Sequence, residues 1–108
     1  MMAAPTALVM HEACALHDTG WRHPEHQGRL PAIVRAVQRD MVELWEPLRQ
    51  TEAVPATEQD LLLVHTPAHI ERVREMATDA ARAERTLQLD GDPVSGATWD
   101  AALAGAGA

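Results

Sequence analysis

Histidine is the residue type whose spacing first suggests chemistry in this chain. Four of the six histidines fall within HEACALHDTGWRHPEHQG, residues 11–28. His11, Cys14 and His17 recur every third residue, and three such side chains would make an open, catalytic-type zinc site. The helical metalloprotease pattern needs its second His four residues after the first, so that both reach one metal. Position 15 is Ala, and that pattern fails. Only Glu12 and Asp18 are at hand as supporting carboxylates, so loop and packing roles outweigh a metal here. HPEHQGRL, residues 23–30, is more distinctive. Pro24 fixes the chain, and Glu25 falls near a helix start, where the helix dipole favours its charge. Arg29 sits at the loop-to-helix junction with donors suited to backbone carbonyls or a carboxylate. On local grounds alone, a capped helix explains this segment. Asp90 and Asp92 in LDGD are not paired by their spacing, and Asp-Gly and Asp-Pro are common turn dipeptides. There is no Ser-His-Asp arrangement, phosphate-cradling glycine loop or nucleotide fingerprint.

The elements that must position these residues can be read in order. ALVM (7–10) is long enough for a buried strand and too short for a helix. The His-rich stretch after it reads as a long loop, and loops of that length are often functional. Leu30, Ile33, Val34, Val37, Met41, Leu44 and Trp45 then form one apolar stripe, predicting a helix from Arg29 to about Trp45. Pro31 fits only near its start, which places the first turn at Gly28 or Arg29; Pro47 ends it. LRQTEAV (48–54) is a weak strand candidate. Thr57 with Asp60 three residues on is a capping box, predicting a short helical segment. Thr66-Pro67 starts another helix, carried by Ile70, Val73, Ala77 and Ala80 or Ala81 to about Glu84. Glu71 and Glu75 alternating with Arg72 and Arg74 read as a solvated face. TLQLDGDPVSG (86–96) breaks the helical pattern, and ATWDAALAGAGA begins a final helix.

Composition narrows the function class. The chain has 108 residues, nine basic side chains (all Arg) against sixteen acidic ones, and a net charge of −7. No nucleic-acid partner is expected, because phosphate binding needs a basic surface, and no membrane partner is expected on the same grounds. The absence of Lys excludes Schiff-base lysine catalysis. Cys14 is the single cysteine and cannot form an intrachain disulfide. No positive charge precedes the N-terminal apolar run, so a signal peptide is not expected and a cytoplasmic setting is. The three aromatic residues are all Trp, so the core must rest on Ala, Leu, Val, Ile and Met. At most one small domain is expected, without internal repeats or a linker.

Taken together, HDTG, HPEHQGRLPAI, LLLVHTPAHIERV and LDGDPVSGATWDAALAGAGA resemble the N-terminal third of the zinc-dependent histone deacetylase superfamily. The likeness is strongest to bacterial members related to acetoin-utilisation proteins and acetylpolyamine amidohydrolases. It runs from about residue 8 to the last residue, and the joint order of the motifs makes it specific.

The resemblance implies an α/β fold: the N-terminal portion of an open, mostly parallel three-layer α/β/α sheet, incomplete in this chain. It implies that residues 1–108 are an N-terminal fragment of a single deacetylase domain acting on an acetylated amine, either a protein lysine or a polyamine. In the family an Asp-x-His pair and a later Asp hold zinc, a tandem His-His supplies acid and base groups, and a tyrosine in many members polarises the acetyl carbonyl. The zinc-bound water yields acetate and free amine. This sequence has no Asp-x-His, no His-His and no Tyr, so zinc is implied for the longer enzyme, none is expected on these residues, and the fragment itself is expected to be inactive. Carried over by the resemblance are Asp92 as the aspartate of the tunnel rim, and His23, Pro24 and Glu25 as one wall of the entrance. Arg29 corresponds to an arginine lining an internal channel. The stretch from Asp92 to Trp99 is one residue shorter than usual, so Asp90 competes for the rim position. His69 stands where relatives often carry Tyr, a packing variation. A homo-oligomer is compatible with all of this. The alternative is a non-catalytic binding or assembly module derived from the same fold.

Overall fold

A computed structural model describes residues 4–108 of the chain. Strand β1 (Ala7–Met10) runs parallel to β2 (Arg49–Glu52), with Ala7 opposite Arg49 and Met10 opposite Glu52. Parallel strands need a long crossover, and here it contains α1 (Arg29–Asp40) and α2 (Val42–Trp45). The pairing is continued at both ends by Arg49 N–H to the Thr6 carbonyl (2.9 Å) and Ala53 N–H to the Met10 carbonyl (2.7 Å). β1 is not the buried strand its composition predicts: its residues alternate between exposed and half-buried, because no described residue covers its second face.

The helix predicted from Arg29 to Trp45 is broken at Met41, whose backbone (φ −131°, ψ 49°) leaves the helical region. Two helices therefore share the apolar stripe, and neither contains a buried residue. Gly28 is the N-cap of α1. A Cβ there would lie 2.8 Å from the Trp21 ring and 2.9 Å from the His26 ring, so both rings lie close over the glycine.

The cap signals hold. The Thr57 hydroxyl accepts the Asp60 N–H while the Asp60 carboxylate accepts the Thr57 N–H at 2.8 Å, the reciprocal box that opens α3 (Glu58–Leu61). Thr66 caps α4 (Pro67–Ala83) with Pro67 in its first turn, and Glu84 closes it in the left-handed conformation (φ 53°). The segment after it pairs as an antiparallel hairpin, β3 (Leu87–Leu89) with β4 (Asp92–Val94). Its two-residue turn places Asp90 and Gly91 at φ 52° and 89°, the combination that two-residue hairpins favour and that Asp-Gly adopts readily. Helix α5 (Thr98–Gly107) follows.

The core is built from small side chains: Ala77 and Ala80 of α4, Ala101 and Ala104 of α5, with Ala13, Ala53, Ile70 and Val94. Small residues let backbones approach closely. A Cβ on Gly96 would sit 2.9 Å from the Ala81 Cβ, and one on Gly107 would collide with the Val54 carbonyl. Arg74 is not on a solvated face. Its side chain is only 33% exposed, it pairs with Glu58 and with Glu71 (2.6 Å), and its guanidinium lies 4.7 Å from the Trp99 ring centroid.

The molecule is a slab of 50 × 33 × 19 Å with a radius of gyration of 16.3 Å, against about 13 Å for a compact chain of this length. Its accessible surface is 7923 Å², where a compact monomer of this mass exposes about 5,900 Å². Ile33, Leu44, Leu63 and Val64 are among the large apolar residues left exposed. Among the described residues, no helix is long and apolar enough to cross a membrane.

Candidate functional site

The carboxyl ends of β1 and β2 open into a cleft of about 290 Å³ lined by Met10, His11, Glu12, Thr51 and Glu52 among others. Ligands of open α/β sheets sit outside such strand ends. His11 Nδ1 accepts the Ala13 N–H at 3.0 Å, and its Nε2 lies 3.7 Å from Glu52 Oε1. The three side chains weighed as zinc ligands go separate ways. The Cys14 thiol points to the Ala101 carbonyl (3.8 Å), and His17 Nδ1 lies 2.7 Å from Thr98 Oγ1. Among the described residues, no three His, Cys, Asp or Glu side chains gather as a metal site. His11, Cys14 and His17 are each engaged with a different protein partner, an arrangement that does not fit zinc.

The loop from Asp18 to Gly28 is ordered by its own polar side chains. Asp18 Oδ1 accepts the Gly20 N–H (2.9 Å), His23 Nδ1 accepts the Glu25 N–H (3.0 Å), and His26 Nδ1 accepts the Gly28 N–H (3.0 Å). Such side-chain turns satisfy amides that a long loop would otherwise leave to water. The Thr19 hydroxyl donates to the Glu25 carbonyl, and Gly20 takes up φ 84°, open to glycine. His23, Pro24 and Glu25 all face solvent. Glu25 pairs with Arg29 one helical turn on, and the Arg29 side chain is 48% exposed. The structure thus brings Glu25 and Arg29 together as an ion pair across the start of α1.

The two competing aspartates are in different situations. Asp90 is a turn residue whose carboxylate is bound by Arg72 of α4 at 3.2 Å. Asp92 opens β4, is exposed, and its carboxylate has no hydrogen-bond or ion-pair partner among the described residues.

Of the residues joining the loop to the hairpin, the sequence marks only Asp18, as a carboxylate near the candidate zinc ligands. Asp18 N–H donates to Ser95 Oγ (3.1 Å), and the Thr86 hydroxyl donates to the Asp18 carbonyl (3.0 Å). Ser95 N–H donates to Thr98 Oγ1 (2.8 Å). Asp18 lies in HDTG and Ser95 and Thr98 lie in VSGAT, stretches that carry the family resemblance, but no local pattern pairs them with each other or with Thr86.

Comparison with known proteins agrees with this architecture. The family model of the histone deacetylase domain matches residues 23–108. The crystal structure of the HDA15 HD domain superposes with a TM-score of 0.76 at 22% identity, covering 97% of this chain and 30% of that one. No curated protein sequence matches significantly. The chain therefore spans less than a third of the length of the structure it resembles, and it belongs to the histone deacetylase family.

Proposed function

We propose that this chain forms the N-terminal part of a cytoplasmic, zinc-dependent deacetylase domain that hydrolyses an N-acetyl amide, of a protein lysine or a polyamine, to acetate and free amine. The observation that carries the reading is the superposition of nearly the whole chain on 30% of a histone deacetylase domain. The part played by residues 1–108 is structural and substrate-facing. Asp92, with an unengaged carboxylate, is suited to accept hydrogen bonds from substrate N–H groups at the rim. Asp90 is already bound by Arg72, which favours Asp92 over its competitor. His23, Pro24 and Glu25 form one wall of the entrance, and Arg29, paired with Glu25, lines an internal channel of the domain. Zinc and the groups that move protons belong to other residues of the domain, so residues 1–108 alone are inactive.

The test is the DNA that follows codon 108. An in-frame continuation encoding His-His and Asp-x-His is expected. A stop codon at that point would contradict the reading and favour a non-catalytic binding or assembly module built on the same fold.

A further inference from the structure

We infer that Asp18, Ser95, Thr98 and Thr86 form a latch that fixes the loop bearing His23, Pro24 and Glu25 to the hairpin bearing Asp92. The inference rests on the proposed function only in calling these two segments the walls of an entrance; the latch itself is geometric.

Thr86 immediately precedes β3 and Ser95 immediately follows β4, so they are the two feet of the hairpin. Both feet are bound to one residue. The Thr86 hydroxyl donates to the Asp18 carbonyl at 3.0 Å, and the Asp18 N–H donates to Ser95 Oγ at 3.1 Å. Asp18 spends its remaining polar group on the loop, its carboxylate accepting the Gly20 N–H at 2.9 Å. The neighbouring Thr19 hydroxyl reaches the Glu25 carbonyl, and the His23 N–H returns to the Gly20 carbonyl at 3.1 Å. A continuous path of hydrogen bonds therefore runs from the base of the hairpin to the proposed entrance loop.

Burial makes this path costly to break. Ser95 is 7% exposed, and a buried hydroxyl is tolerated only when paired. Its Oγ accepts from Asp18 and lies 3.3 Å from Thr98 Oγ1. Thr98 in turn accepts the Ser95 N–H and faces His17 Nδ1 at 2.7 Å, so the residue before Asp18 is held as well. These contacts join positions 77 and 81 residues apart. Asp92 stands three residues from Ser95 on the short strand that Ser95 anchors. Side chains that bind a substrate must be held to within a fraction of an ångström by groups behind them. Ser95, Thr98 and Thr86 are such positioning residues.

The test is the distance distribution between spin labels on the exposed positions Arg22→Cys and Gln88→Cys, in a Cys14→Ser background, with labelled chain diluted into unlabelled chain. One narrow distance peak is expected in the parent. Ser95→Ala and Thr98→Val are expected to lose it while helix content by circular dichroism is unchanged, and Thr98→Ser is expected to restore it. Thr86→Val, which removes an exposed hydroxyl bond, keeps the test decisive if Ser95→Ala unfolds the chain. A peak that stays narrow in folded Thr98→Val and Thr86→Val overturns the latch. The readout involves no turnover, so loss of the deacetylase reading leaves it intact, and a failed latch leaves that reading standing.

Discussion

The guanidinium of Arg74 lies 4.7 Å from the centroid of the Trp99 ring, joining α4 to α5 through a cation held over an aromatic face. Glu58 and Glu71 pair with the same guanidinium, so α3 is tied in as well. Arg74→Met keeps the volume of the stem and removes the charge. It is expected to lower stability by about 1 kcal/mol, the usual scale for a partly desolvated cation–π contact. Urea midpoints of the two proteins check this. An unchanged midpoint would mean that the stacked pair contributes nothing.

Two glycines of α5 should respond in opposite directions. Nothing lies within 4 Å of a Cβ built on Gly105, whereas one on Gly107 collides with the Val54 carbonyl. Gly105→Ala should stabilise by about 0.5–1 kcal/mol through helix propensity alone. Gly107→Ala should destabilise by about 1–3 kcal/mol, because backbone must move to admit the methyl group. Thermal melts of both variants, recorded side by side, separate propensity from packing.

The capping box of α3 titrates. The Thr57 backbone N–H, and then the Thr57 side chain, hold the Asp60 carboxyl below its ordinary range. A carboxyl depressed in the folded state contributes stability above its unfolded pKa and loses it as pH falls through the folded value. The cap should therefore weaken below about pH 4. Following the Thr57 and Asp60 amide resonances from pH 6 to pH 2 should show this loss, and Asp60→Asn should abolish its pH dependence. Separately, Thr57→Ala should cost about 1 kcal/mol.

The exposed apolar area predicts association. The surface of 7923 Å² is about a third more than a compact monomer of this mass shows. The groove between Val37, Leu44, Leu48 and Pro47 is part of that excess. Apparent mass in sedimentation should rise with concentration, and Leu44→Glu should reduce the rise. A monomer at every concentration would show that these faces are tolerated in water.

What the sequence made legible was local. Thr57 with Asp60 and Thr66 with Pro67 are capping patterns whose partners lie within three residues, and both appear as read. The strand at 7–10 follows from a short apolar run after Pro5, whereas that at 49–52 is only weakly marked, lying between Pro47 and Pro55 without apolar alternation. Asp90-Gly91 is a turn signal in the sequence, but three-residue strands carry too little alternation to announce the hairpin around it. The break at Met41 was hidden because the apolar stripe continues through it. Burial of Arg74 depends on Trp99, and the Asp18–Ser95 bond on a partner 77 residues away. No local pattern encodes such meetings. Of the candidate site, the motif around His23 and the aspartate pair were visible, while the polar residues linking them were not.

Turnover by purified residues 1–108, supplied with zinc and an acetyl-lysine reporter, tests the central claim that the catalytic groups lie elsewhere in the domain. No deacetylation above the blank and no stoichiometric zinc retained after dialysis are expected. Turnover that a chelator abolishes would contradict that claim, since the metal and the catalytic groups would then reside in this chain.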